Sequence, residues 1–334
     1  LISIDLGYGY TKGVSGQRKV IFPSVVAPAQ DSTANFGRTI GHVVEIRRPG
    51  EIKKEKYYVG EAAVKEGRAA QVSLDREKFA HEISAVIALT AAYLLGAEKQ
   101  SSLVTGLPLA YYSKQKDHVE NYFKSIVGYV SVDGSPERPV SFSKVYVYPQ
   151  GVGAVYAQEK IPEEGLVGLL DIGFFTTEHI LFECTPEEVV PLRSYCSSVE
   201  GGVSVALKLF ADSFRQATGM PISLPEAQNV WKKEKVTFRG REIEIKPLKE
   251  KAVREAGKAI VEAVNAAWSE KACWLDEVIL VGGGSVEFCE VVKETYPHAR
   301  LAEDPLFANA EGYLLMAGEE NQAVRETGTD TARM

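Results

Sequence analysis

Two aspartates, Asp5 and Asp171, stand 166 residues apart in nearly the same chemical context. Ile4-Asp5-Leu6-Gly7-Tyr8-Gly9-Tyr10-Thr11 lies on Leu170-Asp171-Ile172-Gly173-Phe174-Phe175-Thr176-Thr177, and both read apolar, Asp, apolar, Gly, aromatic, two variable positions, Thr. Each aspartate ends a strand-like run and precedes a glycine turn. Without a Cβ, glycine lets the backbone approach an anion, and successive N–H groups of a turn form an anion-binding concavity. Two such turns facing each other would hold the phosphates of a nucleotide. Asp5 and Asp171 would then converge on a hydrated Mg²⁺, which keeps several waters and takes one or two carboxylates. Lys12, just past the first turn, can reach a phosphate as a mobile point charge. The plainer alternative is a pair of hairpins whose aspartates cap their turns.

Gly282-Gly283-Gly284 follows an apolar strand pattern at 278–281 and precedes a helical one. It is a candidate for backbone approach to a base and sugar, or else a tight strand–helix turn. Gly201-Gly202 introduces another helix in the same way. Neither a G-x-x-x-x-G-K-[ST] loop nor a G-x-G-x-x-G fingerprint in strand–helix context is present.

The elements that must position these residues follow from periodicity and turn chemistry. Strands are expected at 2–6, 11–14 and 19–22, a hairpin at 43–60 around Pro49-Gly50, and a helix at 78–96 carrying Phe79, Ile83, Val86, Ile87, Thr90 and Leu94 on one face. A strand at 101–106, a helix at 113–127, strands on either side of Asp133-Gly134 and a separate strand at 144–148 come next. Pro149-Gln150-Gly151-Val152-Gly153 opens a small-residue helix reaching about residue 158. Strand, turn and strand return at 166–183, with a further strand at 188–194 and a helix from Gly201-Gly202 to about 218. Ser223 and Glu226 form a capping box for a helix at 225–233. A hairpin at 235–246 turns at Arg239-Gly240, and the following helix carries Val253, Gly257, Ile260, Val264 and Trp268. The last helix is expected at 306–318, and the polar residues 319–334 as a frayed tail.

The chain of 334 residues is long enough for two domains, and 45% hydrophobic with 25% charged residues is globular composition. A net charge of −7 disfavours direct nucleic-acid binding. Four cysteines without a C-x-x-C pair and five histidines without ligand spacing argue against a zinc framework and for a reducing compartment. The apolar stretch at 83–95 is too short to span a bilayer, and the opening residues lack the basic start of a signal peptide. The expectation is a soluble, cytoplasmic protein without a membrane partner.

In their order, five segments resemble the actin, sugar-kinase and heat-shock-chaperone superfamily. They are the first phosphate loop (2–12), a connecting helix (149–157), the second phosphate loop (169–182), an adenosine loop (278–288) and a second connecting helix (307–313). Within it the chain is most similar to the prokaryotic actin-like ATPases of the ParM/StbA plasmid-segregation group and their archaeal relatives. Asp5 to Lys12, Phe22-Pro23-Ser24, Pro149 to Ala154, Asp171 to Thr177, Val281 to Gly284 and Phe307-Ala308-Asn309-Ala310 carry the likeness. The resemblance implies an α/β protein of two similar actin-like, ribonuclease-H-like domains, 1–150 plus 305–334 and 151–304, with a nucleotide cleft between them. It also implies ATP, or alternatively GTP, bound with Mg²⁺ by Gly7, Tyr8, Gly9, Tyr10, Thr11, Lys12, Gly173, Phe174, Phe175, Thr176, Thr177, Gly201, Gly202, Gly282, Gly283 and Gly284.

By the same likeness Asp5 and Asp171 organise the metal through water, and Gln150 orients the attacking water. Glu178 stands where the plasmid branch usually has Asp and the actin branch His. The function so implied is a filament-forming ATPase that assembles head to tail with copies of itself and moves plasmid DNA through a DNA-binding adaptor. A monomeric small-molecule kinase or a non-dynamic scaffold on the same fold are the alternatives.

Overall fold

The computed structural model describes residues 1–29, 40–66, 71–72 and 82–330, with side chains described as far as 320 and not at 71–72. They form two compact units, Leu1–Gln158 with Leu306–Met334, and Glu159–Pro305.

The first unit begins with β1 (Ile2–Leu6), β2 (Tyr10–Ser15), β3 (Arg18–Pro23) and β4 (Val25–Pro28). It continues through β5 (His42–Arg47), β6 (Lys54–Val59), α1 (Glu61–Glu66), β7 (Gln71–Val72) and α2 (Glu82–Leu94). Then come β8 (Ser101–Leu107), α3 (Leu109–Ser125), β9 (Val127–Val132), β10 (Arg138–Pro149) and α4 (Val152–Tyr156). Among the described residues the strands form one sheet in the order β3-β2-β1-β8-β10-β9-β5-β6-β4-β7. Strand alternation sends Ile2, Ile4 and Leu6 into a core shared with Val86 and Leu89 of α2, which leaves Ser3 and Asp5 on the other face.

The expected strands after Asp133-Gly134 and at 144–148 are one strand, β10. Its first half pairs antiparallel with β9 and its second half parallel with β8, with a register break between Phe142 and Lys144. The extra residue at the break interrupts the alternation that made it look like two strands. Helix α3 starts four residues earlier than expected because the Pro108 carbonyl accepts from Tyr111 and Tyr112 N–H groups and begins the helix there. The Phe79 end of the stripe expected at 78–96 lies outside the described residues.

In the second unit β11 (Gly165–Ile172) is central, flanked by β12 (Thr176–Cys184) antiparallel and, later in the chain, by a parallel strand. In place of one strand at 188–194 there are two short ones, β13 (Val189–Pro191) and β14 (Ser197–Glu200), which pair with opposite ends of β12. A single 3₁₀ turn at Arg193–Tyr195 separates them. Helix α5 (Val203–Thr218) buries Ala206, Leu207, Phe210 and Phe214, and α6 (Leu224–Trp231) carries the expected capping box. Hairpin β15 (Lys235–Phe238) and β16 (Arg241–Glu244) turns through Arg239 and Gly240 at φ of 49° and 76°. The long α7 (Lys246–Trp268) follows and buries the expected stripe. The parallel neighbour of β11 is β17 (Glu277–Val281), followed by α8 (Ser285–Lys293) and β18 (Ala299–Leu301).

The chain returns to the first unit in α9 (Ala308–Asp330). This helix runs well beyond the end expected at 318, so the polar residues 319–330 are helical and not a frayed tail. Glu319, Glu320, Gln322, Ala323 and Arg325 are strong helix formers, and polarity alone does not separate such a helix from coil. Residues 331–334 lie outside the described part. No helix among the described residues is long and apolar enough to cross a membrane.

Helices α4 and α9 meet through glycine: a Cβ on Gly312 would lie 1.7 Å from the Gly153 carbonyl oxygen. That neighbour is backbone and cannot rotate away. Gly312→Ala is expected to cost about 3 kcal/mol or to prevent folding. Gly318→Ala, on the same helix with nothing within 4 Å, should be neutral or stabilise by up to about 1 kcal/mol. Thermal denaturation of the two variants checks this, and equal melting temperatures would refute the close crossing.

Candidate functional site

The two aspartate turns have the same register. In β1–β2, Asp5 pairs with Lys12 and Leu6 with Thr11; in β11–β12, Asp171 pairs with Glu178 and Ile172 with Thr177. The glycine after each aspartate is sterically required. A Cβ on Gly7 would stand 2.5 Å from the Tyr10 carbonyl oxygen, and one on Gly173 would stand 2.9 Å from that of Thr176.

In the first turn, Ser24 is the organiser that motif reading did not assign. Its Oγ donates to the Gly7 carbonyl at 2.6 Å and shares a 2.9 Å bond with Thr11 Oγ1, while its N–H donates to the Gly9 carbonyl at 3.0 Å. In a planar trans peptide the carbonyl of one residue and the N–H of the next point in opposite directions. Holding the Gly7 and Gly9 carbonyls toward Ser24 therefore aims the Tyr8 and Tyr10 N–H groups the other way. Asp5 is 3% exposed and engaged at both oxygens. Lys12 Nζ donates to Oδ2 at 3.2 Å and Gln150 Nε2 donates to Oδ1 at 3.2 Å. Gln150 is held at the end of β10 by its own N–H on the Leu107 carbonyl, and Asn309 Oδ1 accepts from the next residue, Gly151.

The second turn is organised by the start of α5. The N–H groups of Val203 and Ser204 donate to the Gly173 and Phe174 carbonyls at 3.1 and 2.8 Å. By the same planarity the Phe174 and Phe175 N–H groups point away from the helix. Gly202 lies directly under this turn, where a Cβ would come within 2.5 Å of the Gly173 oxygen. Gly201 donates its N–H to the Phe175 carbonyl and accepts from Thr177 Oγ1 at 2.8 Å. Both glycines thus position the turn. Thr176 and Ser198 hydroxyls donate to Glu178 Oε1 at 3.0 and 3.3 Å, the latter from β14.

Of the glycine triplet, Gly282 takes a left-handed φ of 88° and approaches Asp171, so that a Cβ would lie 2.2 Å from Oδ1. Gly284 donates its N–H to the Ile172 carbonyl at 2.8 Å, and Gly283 is exposed between them. The structure thus gathers Asp171, Glu178 and the residues at 173–177, 201–202 and 282–284 in one unit. It gathers Asp5, Gln150 and residues 7–12 in the other.

Residues 3–153 match the family described as the N-terminal domain of actin-like proteins, and residues 169–294 match the C-terminal domain of the archaeal MreB-like actin homologue. The chain is an actin-like protein. Its fold is similar to that of a non-polymerisable quadruple mutant of pCBH ParM, at 25% identity and TM-score 0.84 over 95% of this chain and 98% of that one. It is equally similar to a subunit of a 15-stranded ParM filament from Clostridium botulinum, at 25% identity and TM-score 0.83 over 95% and 98%. The fold is also that of the archaeal actin homologue Ta0583 in complex with ADP, at 22% identity and TM-score 0.76 over 95% and 99%. No curated protein sequence matches the chain.

In this actin-like protein the two turns differ in charge. Lys12 neutralises Asp5, whereas Glu178 adds a second carboxylate beside Asp171. Burial, and then the Asp171 charge, push the Glu178 carboxyl up to about 8, against the two hydroxyl bonds that favour its charged form. The donor set Asp171 and Glu178 fits a Mg²⁺ ion that keeps most of its waters, because a divalent charge offsets this repulsion. The described residues contain no cluster of three or more His, Cys, Asp or Glu able to form an all-protein metal cage.

A carboxyl raised on folding binds its proton more tightly in the folded state, so its contribution is complete below its ordinary value of 4.5 and is lost as pH rises through about 8. Glu178→Gln removes that dependence. Without nucleotide or metal, the melting temperature of the variant relative to the parent should climb between roughly pH 5 and pH 9. Parallel profiles would show that Glu178 is charged at all these values.

Proposed function

We propose that the chain is a filament-forming ATPase that binds ATP and Mg²⁺ with its two repeated turns, assembles head to tail with other copies, and disassembles after hydrolysis. GTP is the alternative nucleotide. The observation that carries this reading is the repeat itself: two glycine turns of identical register, each with two of its carbonyls held on one side so that the N–H groups of Tyr8 and Tyr10, or of Phe174 and Phe175, are aimed to the other. The likeness to a ParM filament subunit supports self-assembly, and the likeness to an archaeal actin homologue bound to ADP supports a nucleotide ligand. A role in moving plasmid DNA through a DNA-binding adaptor extends the same likeness.

The residues divide the work by chemistry. The N–H groups of the turns cradle phosphate oxygens. Lys12 spends one of its three donors on Asp5 and has the others for phosphate. Asp5 can only accept, so it draws the Gln150 amide nitrogen and leaves the amide oxygen to accept a hydrogen bond from the attacking water. A carboxamide orients water but is a poor base, which suits slow hydrolysis gated by assembly. Asp5 and Asp171 are the residues that would hold Mg²⁺ through its waters, with Glu178 as a further carboxylate beside Asp171, and the charge of the ion would stabilise the transferring phosphoryl group.

Sedimentation with Mg²⁺ and ATP tests the reading: nucleotide-dependent pelleting that reverses as phosphate appears is expected, and protein that stays soluble at tens of micromolar while hydrolysing ATP would overturn it. Asp171→Ala should remain folded and lose hydrolysis by at least about 100-fold. Gln150→Ala should retain ATP binding while releasing phosphate roughly 10- to 100-fold more slowly. Unchanged phosphate release would remove Gln150 from its water-orienting role.

A further inference from the structure

The second unit is electrically lopsided. Between residues 232 and 251 there are eight lysines and arginines against four glutamates, in a chain whose net charge is −7. This stretch is the end of α6, the β15–β16 hairpin and the start of α7. Lys233, Arg239, Arg241 and Lys251 are exposed there. Among the described residues none of these four has an ion-pair partner, whereas Lys235, Lys246 and Lys249 are paired with Glu242, Glu250 and Glu287. The hairpin has its own anchor: Phe238 meets Phe214 of α5 edge to face at 5.3 Å, so the arginines at its tip stand on a fixed support.

The opposite sign collects elsewhere in the same unit. Residues 159–188 contain eight acidic side chains and one lysine. Glu163, Glu164, Glu183, Glu187 and Glu188 are exposed, and no ion pair engages them among the described residues. Pairing of Gly165 with Cys184 and of Leu166 with Glu183 places all five at one end of the β11–β12 ladder. The aspartate turn lies at the other end of that ladder, and α5 starts on that turn. The basic hairpin packs against the far half of α5, at Phe214, so the two charged surfaces are separate patches on one rigid core.

We propose that these patches are the two sides of one contact between copies of this chain, the basic hairpin of one copy docking on the acidic end of the β11–β12 ladder of the next. The proposal rests on the filament reading and names the surface through which that assembly runs. The occupant follows from complementarity: four unpaired cations on one patch face five unpaired carboxylates on the other. A contact that seats one hairpin on one ladder end and leaves the other of each free is heterologous, and it builds an open chain of subunits when its rotation does not close a ring. Charge of this kind steers association and fixes register, and it is screened by salt.

The test combines charge reversal with cross-linking. R239E/R241E and E187K/E188K should each raise the critical concentration for nucleotide-dependent pelleting by about tenfold or more. The chain carrying all four changes should return to within about threefold of the parent, because the patches have exchanged sign. A carbodiimide that joins lysine to carboxylate, applied to a mixture of isotopically light and heavy protein, should link Lys233 or Lys235 to Glu183, Glu187 or Glu188 between copies. Parent-like assembly of both reversed variants, or parent filaments without these cross-links, would overturn the contact and leave the filament reading standing. If the parent never pellets, the filament reading falls, and cross-links between copies at low salt then uphold the contact or, by their absence, overturn it.

Discussion

The interaction on which the site depends is a cross-strand pairing used twice. In a hairpin the register decides which residue stands across from which, so the residue seven positions after each aspartate is placed beside it by the backbone alone. Only its identity is open. Lysine at position 12 closes an ion pair with Asp5 and makes the first turn self-neutral. Glutamate at position 178 leaves the second turn with two buried carboxyl groups and one way to relieve them, a proton or a cation. The two turns therefore share a geometry and differ in charge: the first carries its own cation, and the second has two carboxyl groups and none.

Each turn is held by a partner that occupies its carbonyls, and the partners are unrelated. Ser24 does this in the first turn with a side chain and its own N–H, whereas the second turn uses the opening N–H groups of α5. The second solution satisfies two requirements together, since those helix N–H groups have no partner within the helix. It also explains why glycine occupies position 202, where the helix start comes so close to the Gly173 oxygen that no Cβ fits. An aspartate with glycine packed directly against it, as Gly282 is against Asp171, follows the same logic of close backbone approach.

What could be read in the sequence was whatever had a local signal. The repeat around Asp5 and Asp171, the Ser223–Glu226 capping box and the Arg239-Gly240 hairpin each carry their chemistry within a few residues. The supporting groups did not have that property. Ser24 reaches the first turn from the bend between β3 and β4, Ser198 reaches Glu178 across a sheet, and Asn309 reaches Gly151 from 158 residues away. Their role exists only once strands are paired. The division of β10 into two strands failed for a related reason, because a bulge at Ser143 breaks the alternation without breaking the strand. Helix α9 was cut short since its later residues are polar on every side, a pattern that periodicity does not distinguish from coil.

The whole-chain charge of −7 is an average that hides a partition. Read as an average it argues against gripping phosphate backbones, and it says nothing about where the charges lie. Folding gathers the lysines and arginines of residues 232–251 on one support and Glu163, Glu164, Glu183, Glu187 and Glu188 on one sheet end. That separation has a consequence for symmetry. A two-fold contact centred on either patch would set like charge against like, and repulsion opposes it, whereas a two-fold contact spanning both patches would use up both at once and close as a dimer. The contact proposed above seats one hairpin on one ladder end and leaves the other of each free, so each added copy exposes the same free patch as the one before. In the proposed assembly the direction of growth would follow from where the charges sit.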